Sequence, residues 1–143
     1  MIELSNVTLC AASSVEIIQH INALKICSQH FKFAKIKFMS DKEINEPNIE
    51  WIKCEEMKNS HDFNFFMVND LPQYIDTDFA LTIHADGFIA NPNKWTDIFL
   101  EYDYVGAPWR DEPEKGFTGD RRVGNGGFSL RSKKLMDLSL IHI

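Results

Sequence analysis

The chain has 143 residues, of which 44% are hydrophobic and 25% are charged, and its formal net charge at pH 7 is −6. A domain of this size buries roughly 70% of the surface that its unfolded chain would expose. The negative charge weighs against a nucleic-acid partner, because proteins that bind nucleic acids usually carry a basic face. We therefore predict one globular domain over residues 1–143 that does not bind nucleic acid.

Signals for secretion or for a membrane span are absent from the sequence. No apolar run approaches the ~20 residues that a membrane-spanning helix requires, and no basic segment precedes an apolar core, as a signal peptide would require. The cysteines are odd in number and lack a C-x-x-C spacing, which predicts reduced and mostly buried thiols at Cys10, Cys27 and Cys54. Together these observations predict a cytoplasmic protein, and they leave its oligomeric state open.

The first part of the chain predicts a strand, a helix and a second strand. Residues 7–12 form an apolar run that is typical of a buried strand. Ser13 and Glu16 have the spacing of a capping box, which predicts a helix that continues to about His30. Its buried face is predicted from helical spacing to comprise Ile17, Ile18, Ile21, Leu24 and Cys27. Residues 35–39 predict the next strand, so the order is that of nucleotide-binding α/β domains.

The alternation of strands and helices continues through the rest of the chain. Ser60 is predicted to cap a second helix that ends near Pro72, and Ser132 is predicted to cap a last helix from Lys133. Trp95, Ile98 and Phe99 predict a short helix between them. The apolar face of the second helix is predicted to comprise Phe63, Phe66, Met67 and Leu71. Further strands are predicted over residues 49–54, 79–83, 102–107 and 123–130.

Asp86 stands where the strand of residues 79–83 should end, and Gly87 follows it directly. Ligands of α/β proteins bind at the carboxyl ends of the strands. A glycine at such a position lets the backbone turn sharply or approach a ligand closely. A second glycine-rich stretch, Gly124-Asn125-Gly126-Gly127, lies further along the chain. We predict that these two stretches face each other across one cleft.

Polar residues at the ends of the first two predicted strands are candidates for nucleotide binding. Ala12 and Ser13 end the first strand, and Ser40 and Asp41 end the second. An acidic residue at the end of a second strand often contacts a ribose. The structural alternatives are a helix cap at Ser13 and a polar turn at Asp41. Residues 110–122 contain eight charged residues and two glycines, which predicts a surface loop that acts as a lid over the ligand.

Four blocks of sequence occur in order along the chain: V-T-L, T-D-F-A-L-T-I-H-A-D-G-F, E-Y-D-Y-V-G-A-P-W and G-N-G-G-F-S-L-R-S. Together they resemble a family of uncharacterised glycosyltransferase-like domains related to nucleotide-sugar-dependent transferases of the GT-A type. The resemblance covers residues 7–138 and implies a GT-A, Rossmann-like αβα sandwich with a mainly parallel sheet. It implies transfer of a sugar from a nucleoside-diphosphate sugar to a glycan or other acceptor. Relatives continue beyond the last block, so the chain is expected to be C-terminally short.

The resemblance assigns a metal-binding role to Asp86. GT-A enzymes typically bind the metal through an Asp-x-Asp motif at a strand end, and the aligned triplet here is His84-Ala85-Asp86. The implied cofactor is Mn²⁺ or Mg²⁺, which stabilises the negative charge that develops on the leaving diphosphate. Asp86 is thus implied as metal ligand and catalytic residue, with a turn cap as the structural alternative. His84 is implied as a substrate contact, and the alternative is an imidazole packed in the sheet.

The remaining implied contacts concern the sugar and the acceptor. Trp109 is predicted to stack on a sugar face, and Asp103 is predicted as a catalytic acid near the acceptor. Substrate-binding positions are also predicted at Gly87, Asn125, Gly126 and Gly127. The alternatives are a turn or bulge for the glycines and a structural strand edge for Asp103. Two other functions stay open: a non-catalytic nucleotide-sugar-binding or structural module, and a nucleotidyltransferase, although the A-A-S-S turn lacks the glycine and basic residue that a nucleotidyltransferase would normally show.

Overall fold

The structure is a computed structural model that describes residues 1–116, 118–122 and 126–141. One sheet contains all six strands of the described residues, in the spatial order β3-β2-β1-β4-β6-β5. The strands are β1 (Ile2–Ala12), β2 (Phe31–Ser40), β3 (Glu50–Lys53), β4 (Phe79–Thr82), β5 (Tyr104–Gly106) and β6 (Ser129–Ser132). The α-helices of the same residues are α1 (Ile17–Cys27), α2 (Ser60–Phe65) and α3 (Lys133–Ile141).

The sheet is mixed. Strands β3, β2, β1 and β4 are parallel neighbours, whereas β6 is antiparallel to both β4 and β5. The prediction of a mainly parallel sheet therefore holds for one end of the sheet and is wrong for the other. An antiparallel pair needs no helical crossover, and the described residues between β5 and β6 contain only short 3-10 turns. Strands β1 to β5 all end at the same border of the sheet, which we call the carboxyl edge.

Helices cover both faces of the sheet, as an α/β sandwich requires. One face packs against α1 in a core cluster that includes Leu9, Leu24, Phe38, Leu81 and Leu130. The other face packs against α2, the turns that follow it and α3, in a cluster that includes Cys10, Met39, Phe66, Leu71 and Met136. The alternation of neighbouring residues between the two clusters is that of strands buried on both faces. None of the helices in the described ranges is long and apolar enough to cross a membrane.

Helix α1 begins without the predicted capping box. Glu16 adopts a left-handed conformation with φ 50° and ψ 44°, and its side chain makes no capping hydrogen bond. The Ser13 hydroxyl instead bonds to Val15, accepting from its N–H at 3.1 Å and donating to its carbonyl at 2.6 Å. The helix therefore starts at Ile17, and it ends at Cys27, before His30. Ile18 was predicted to face the core, but it is 74% exposed.

The later helices agree more closely with the sequence pattern. Asn59, not Ser60, caps α2 by accepting a hydrogen bond from the Asp62 N–H at 2.9 Å. The helical path does not end at Pro72 but continues through a π-helical turn, Phe66–Asp70, and a 3-10 helix, Leu71–Tyr74. The predicted cap of α3 is confirmed, because the Leu135 N–H donates to Ser132 Oγ at 3.0 Å.

The elements around β5 differ from their predicted forms. The short helix that was expected near Trp95 is a 3-10 helix, Asp97–Glu101, and it leaves Ile98 56% exposed. Strand β5 is shorter than predicted, and β6 starts at Ser129 and not at residue 123. Residues 123–125 lie outside the described residues.

The three cysteines are free thiols, as predicted. Cys10 and Cys27 are buried, and Cys54 is partly buried. Burial raises the pKa of Cys10 to about 12 and that of Cys54 to about 11. Both groups therefore stay protonated at neutral pH and behave as small apolar side chains.

Candidate functional site

The carboxyl edge contains a topological switch point between β1 and β4. The chain proceeds from β1 to β2 and β3 on one side, and then crosses to β4 on the other side of β1. The loops that follow β1 and β4 therefore diverge at this position. Ligands of open α/β sheets commonly bind at such a switch point. Asp86 and Gly87, which gave the clearest sequence signal for a functional site, follow β4.

Asp86 lies in a tight turn that follows β4. The turn is closed by two backbone hydrogen bonds, from the His84 N–H to the Gly87 carbonyl at 3.0 Å and from the Gly87 N–H to the His84 carbonyl at 3.3 Å. The Asp86 side chain is exposed, and within the described part of the chain no hydrogen bond or ion pair uses its carboxylate. Asp86 is therefore not a turn cap, and its carboxylate is available to a ligand.

Gly87 is required for a close approach of two backbone segments. A Cβ atom at this position would lie 3.1 Å from the Gly127 carbonyl oxygen and 3.4 Å from Phe128 Cβ. Gly87 is not among the residues with positive φ, so its conformation alone does not demand glycine. The two glycine-containing stretches thus lie together, but they touch through their backbones and do not face each other across a cleft as predicted. Asn125 and its predicted contact with substrate lie outside the described residues.

Arg131 is a partly buried residue of β6 that no pattern in the sequence singled out. A Cβ atom on Gly126 would lie 2.9 Å from Arg131 Nη2, so this glycine makes room for the guanidinium. Arg131 Nε donates to Ser129 Oγ at 3.0 Å, and the guanidinium carbon lies 5.8 Å from the centre of the Tyr104 ring. The available signal was the spacing of Ser129 and Arg131, which places both residues on one face of a strand.

His84 has an imidazole nitrogen without a partner. Its ring makes an edge contact with Phe63 at 5.0 Å between centroids, and the His20 ring lies 6.0 Å away. Nε2 is buried and has no hydrogen-bond partner among the described residues. Burial and then the neighbouring His20 lower the pKa of His84, so the ring is neutral at pH 7. These observations favour the packed-imidazole alternative for the ring, while the buried Nε2 keeps an unmet capacity for one hydrogen bond.

Three of the four predicted nucleotide contacts are structural. Ala12 is 4% exposed, Ser13 is 8% exposed and its hydroxyl bonds to Val15, and Ser40 is fully buried. The Ser40 carbonyl accepts hydrogen bonds from Trp51 Nε1 at 3.1 Å and from the Cys54 N–H at 3.2 Å. These side chains form the base of the carboxyl edge and do not face a ligand, so we correct their predicted role.

Asp41 is the predicted nucleotide contact that keeps a free acceptor. Its Oδ2 accepts from Lys42 Nζ at 3.2 Å, whereas Oδ1 is buried and has no hydrogen-bond partner among the described residues. The nearby Ser14 hydroxyl, followed by the Lys42 side chain, holds the pKa of Asp41 below its ordinary value. Because this side chain is only 24% exposed, a ribose hydroxyl can reach only the exposed part of the carboxylate.

Asp103 does not share a site with Asp86. It precedes β5 and therefore lies at the opposite border of the sheet, where its Oδ1 accepts a hydrogen bond from Ser132 Oγ at 2.7 Å. Its backbone carbonyl also accepts from the Ser132 N–H at 2.9 Å. The two residues that were predicted to be catalytic thus lie at opposite borders of the sheet. The structural alternative fits Asp103, and we correct its predicted catalytic role.

Trp109 lies on the same border as Asp86, because it follows the carboxyl end of β5. Its side chain is 38% exposed. The Trp109 N–H donates to the Arg122 carbonyl at 2.7 Å, so the charged loop closes at its base. This loop contains two 3-10 turns, Pro113–Lys115 and Gly119–Arg122. Stacking of Trp109 on a sugar and closure of the loop over a ligand stay predictions.

The residues of this edge fit one kind of metal site. Within the described ranges, no three His, Cys, Asp or Glu side chains cluster closely enough to bind a metal by themselves. Asp86 supplies one exposed carboxylate. Mg²⁺ is commonly bound through one or two carboxylates together with phosphate oxygens and waters, and Mn²⁺ also favours oxygen ligands. Asp86 therefore fits an ion that arrives with a phosphorylated ligand, and it does not fit an ion that the protein binds alone.

The fold is that of an α/β domain with a mixed sheet and a topological switch point between β1 and β4. The family described as "Protein of unknown function (DUF5672)" matches residues 46–141, which are 96 of the 143 residues, and the chain belongs to this family. The match includes the Asp86 turn, the Gly87–Gly127 contact and Arg131. The description of the family names no activity. No curated protein matches the chain.

Proposed function

We propose that the protein is a metal-assisted glycosyltransferase of the GT-A type that uses a nucleoside-diphosphate sugar. The observation that carries the proposal is the Asp86 turn, which presents an unpaired carboxylate at the switch point of the sheet. The four sequence blocks support the proposal through their resemblance to glycosyltransferase-like domains. A mixed sheet with helices on both faces is compatible with a GT-A sandwich.

The residues of the carboxyl edge have distinct roles in this proposal. Asp86 binds the divalent ion, which supplies Lewis-acid stabilisation of the charge on the leaving diphosphate. Asp41 accepts hydrogen bonds from the ribose through the exposed part of its carboxylate. His84, as a neutral imidazole, bonds to a sugar hydroxyl through Nε2. The Gly87–Gly127 contact fixes the position of the Asp86 turn relative to β6, which reduces the freedom lost on binding.

A thermal-shift screen tests the proposal. The protein is heated with UDP-, GDP-, CMP- or TDP-sugars, each with Mn²⁺ and with EDTA. A ligand that binds only the folded state raises its stability by about 2.7 kcal/mol at a hundredfold excess over its dissociation constant. We expect at least one sugar nucleotide to raise the melting temperature, and more strongly with Mn²⁺ than with EDTA. The absence of a shift with every sugar nucleotide in Mn²⁺ would contradict the proposal.

Turnover separates the proposal from its two alternatives. A glycosyltransferase releases a nucleoside diphosphate from the bound donor when an acceptor or water reacts, and this release is measured by chromatography. A non-catalytic binding module would show the thermal shift without release. A nucleotidyltransferase would instead release pyrophosphate from a nucleoside triphosphate. Lys42, the ammonium beside the turn after β1, already donates to the Ser14 carbonyl at 2.8 Å, so this turn offers little to a triphosphate.

A further inference from the structure

Arg131 is a partly buried cation without a carboxylate partner. Among the described residues, the guanidinium makes one hydrogen bond, from Nε to Ser129 Oγ, and one contact with an aromatic ring, that of Tyr104. No ion pair of the described part of the chain includes it. Charged groups that are withdrawn from water are normally paired, because desolvation of an unpaired charge is costly. The charge of the Arg131 guanidinium is therefore not balanced by an anionic group among the described residues.

The free donors of Arg131 are near the Asp86 turn. Arg131 starts inside β6, but its Nε bonds back to Ser129, so the side chain extends toward the carboxyl edge. Its Nη2 lies under Gly126, and Gly127, the next residue, contacts Gly87 beside Asp86. The carboxylate and the guanidinium thus flank one short stretch of the edge.

We propose that Arg131 is an anion-binding residue that binds a phosphate group of the ligand through its two terminal nitrogens. This inference rests on the proposed function for the identity of the ligand as a nucleoside-diphosphate sugar. The chemistry is shared with inorganic pyrophosphate, which offers the same oxygen atoms. Two parallel N–H donors of a guanidinium match a pair of phosphate oxygens, and a lysine ammonium lacks this planar geometry.

The surrounding residues are suited to an anion. Ser129 Oγ, which accepts from Arg131 Nε, lies 2.9 Å from Thr82 Oγ1, so the guanidinium is oriented by a chain of buried hydroxyls. Gly126 has no side chain to occupy the space beside Nη2. The thiol of Cys10 is uncharged and does not neutralise Arg131. A pre-oriented guanidinium loses little freedom when it binds phosphate.

Calorimetric titration of the full chain with inorganic pyrophosphate and with UDP, both in EDTA, tests the inference. We expect Arg131→Gln to weaken both affinities by about tenfold or more, because charge-assisted hydrogen bonds are lost. Arg131→Lys keeps the charge and should give an intermediate loss. Lys134→Gln removes the same charge from an exposed position on α3 and should change neither affinity.

Stability measurements distinguish an anion site from a structural arginine. Arg131→Gln removes an unpaired charge, so its apo form should unfold at the same urea concentration as the wild type or a higher one. A destabilised variant that keeps full affinity for pyrophosphate would assign Arg131 a structural role and overturn the inference. Failure of the wild type to bind pyrophosphate or UDP at millimolar concentrations would overturn it as well.

The outcomes also separate this inference from the proposed function. If pyrophosphate binding depends on Arg131 but no sugar nucleotide shifts the melting temperature, the anion site stands and the glycosyltransferase proposal fails. If a sugar nucleotide binds in Mn²⁺ and Arg131→Gln leaves every affinity unchanged, the glycosyltransferase proposal stands and the anion site is rejected.

Discussion

Each border of the sheet contains an aspartate that was predicted from the sequence to be catalytic, and the two carboxylates differ in their hydrogen bonding. Asp86, at the carboxyl edge, lies in a turn whose hydrogen bonds are made by the backbone alone. Asp103, at the other border, accepts a hydrogen bond from Ser132, whose hydroxyl also caps α3. A carboxylate with a structural partner contributes to stability, and one without a partner is available for a ligand. The comparison therefore favours a structural role for Asp103 and leaves the Asp86 carboxylate without one.

Gly87→Ala should give the largest loss of stability of the variants considered for these two borders. The new methyl group would meet the Gly127 carbonyl oxygen at 3.1 Å, so this backbone segment would have to shift by a few tenths of an ångström. Overpacking of this kind costs about 1–3 kcal/mol in the free energy of unfolding, which urea denaturation measures.

Gly126→Ala is the matched control for that prediction. Its methyl group would meet Arg131 Nη2, the end of a flexible side chain, which can move away. A stability change within about 0.5 kcal/mol is expected, because the alanine also restricts the unfolded chain. Equal losses in the two variants would show that the Gly87–Gly127 contact is not what positions the Asp86 turn.

Asp103→Ala should lower the free energy of unfolding by about 1–2 kcal/mol, because it removes an acceptor that bonds to Ser132 at 2.7 Å. Asp86→Ala should change it by less than about 0.5 kcal/mol, as is usual for an exposed side chain without partners. Urea denaturation of the two variants under the same conditions gives the comparison. A larger loss for Asp86→Ala would reverse the roles that we assign to the two aspartates.

Ser132→Ala should lower the free energy of unfolding by about 1 kcal/mol, which is the usual contribution of an N-cap side chain. Because Ser132 connects Asp103 to the first turn of α3, the losses of Ser132→Ala and Asp103→Ala should not add. A double-mutant cycle is expected to give a coupling energy of at least about 0.5 kcal/mol between them. Simple additivity would mean that Asp103 does not support the cap.

His84, at the carboxyl edge, is expected to make a smaller contribution to the free energy of unfolding, and this contribution should depend on pH. Burial holds its pKa below the ordinary value of 6.5, so the unfolded chain takes up a proton first as the pH falls. Stability is therefore full above pH 6.5 and decreases as the pH falls toward the lowered pKa. His84→Gln should flatten the pH dependence of the urea midpoint in this window. An unchanged profile would contradict the burial of a neutral imidazole.

Patterns of neighbouring residues predicted the elements that depend on interactions between residues close in the sequence. The apolar run of residues 79–83, followed by Asp86 and Gly87, predicted a strand and a turn at its carboxyl end. The serine before Lys133 predicted the cap of the last helix, since a cap depends on residues three apart. Such signals need no knowledge of the tertiary structure.

The features that the sequence did not predict depend on contacts between distant residues. The antiparallel direction of β6 follows from its pairing with β4, and the role of Asp103 follows from Ser132, which is 29 residues away. The burial of Ser40 depends on Trp51 and Cys54, which bond to its carbonyl across the turn to β3. The sequence around Arg131 is that of an ordinary strand, and only the structure shows its contact with Gly126.

The most direct test of the central claim is calorimetric titration of wild type and Asp86→Asn with a sugar nucleotide from the screen, in Mn²⁺ and in EDTA. Asp97→Asn is the matched control, because the new amide oxygen can still accept from Trp95 Nε1, which lies 3.1 Å from Asp97 Oδ1. We predict that Asp86→Asn weakens binding in Mn²⁺ by about tenfold or more and leaves binding in EDTA unchanged. Equal affinities of wild type and Asp86→Asn in Mn²⁺ would remove Asp86 from the site.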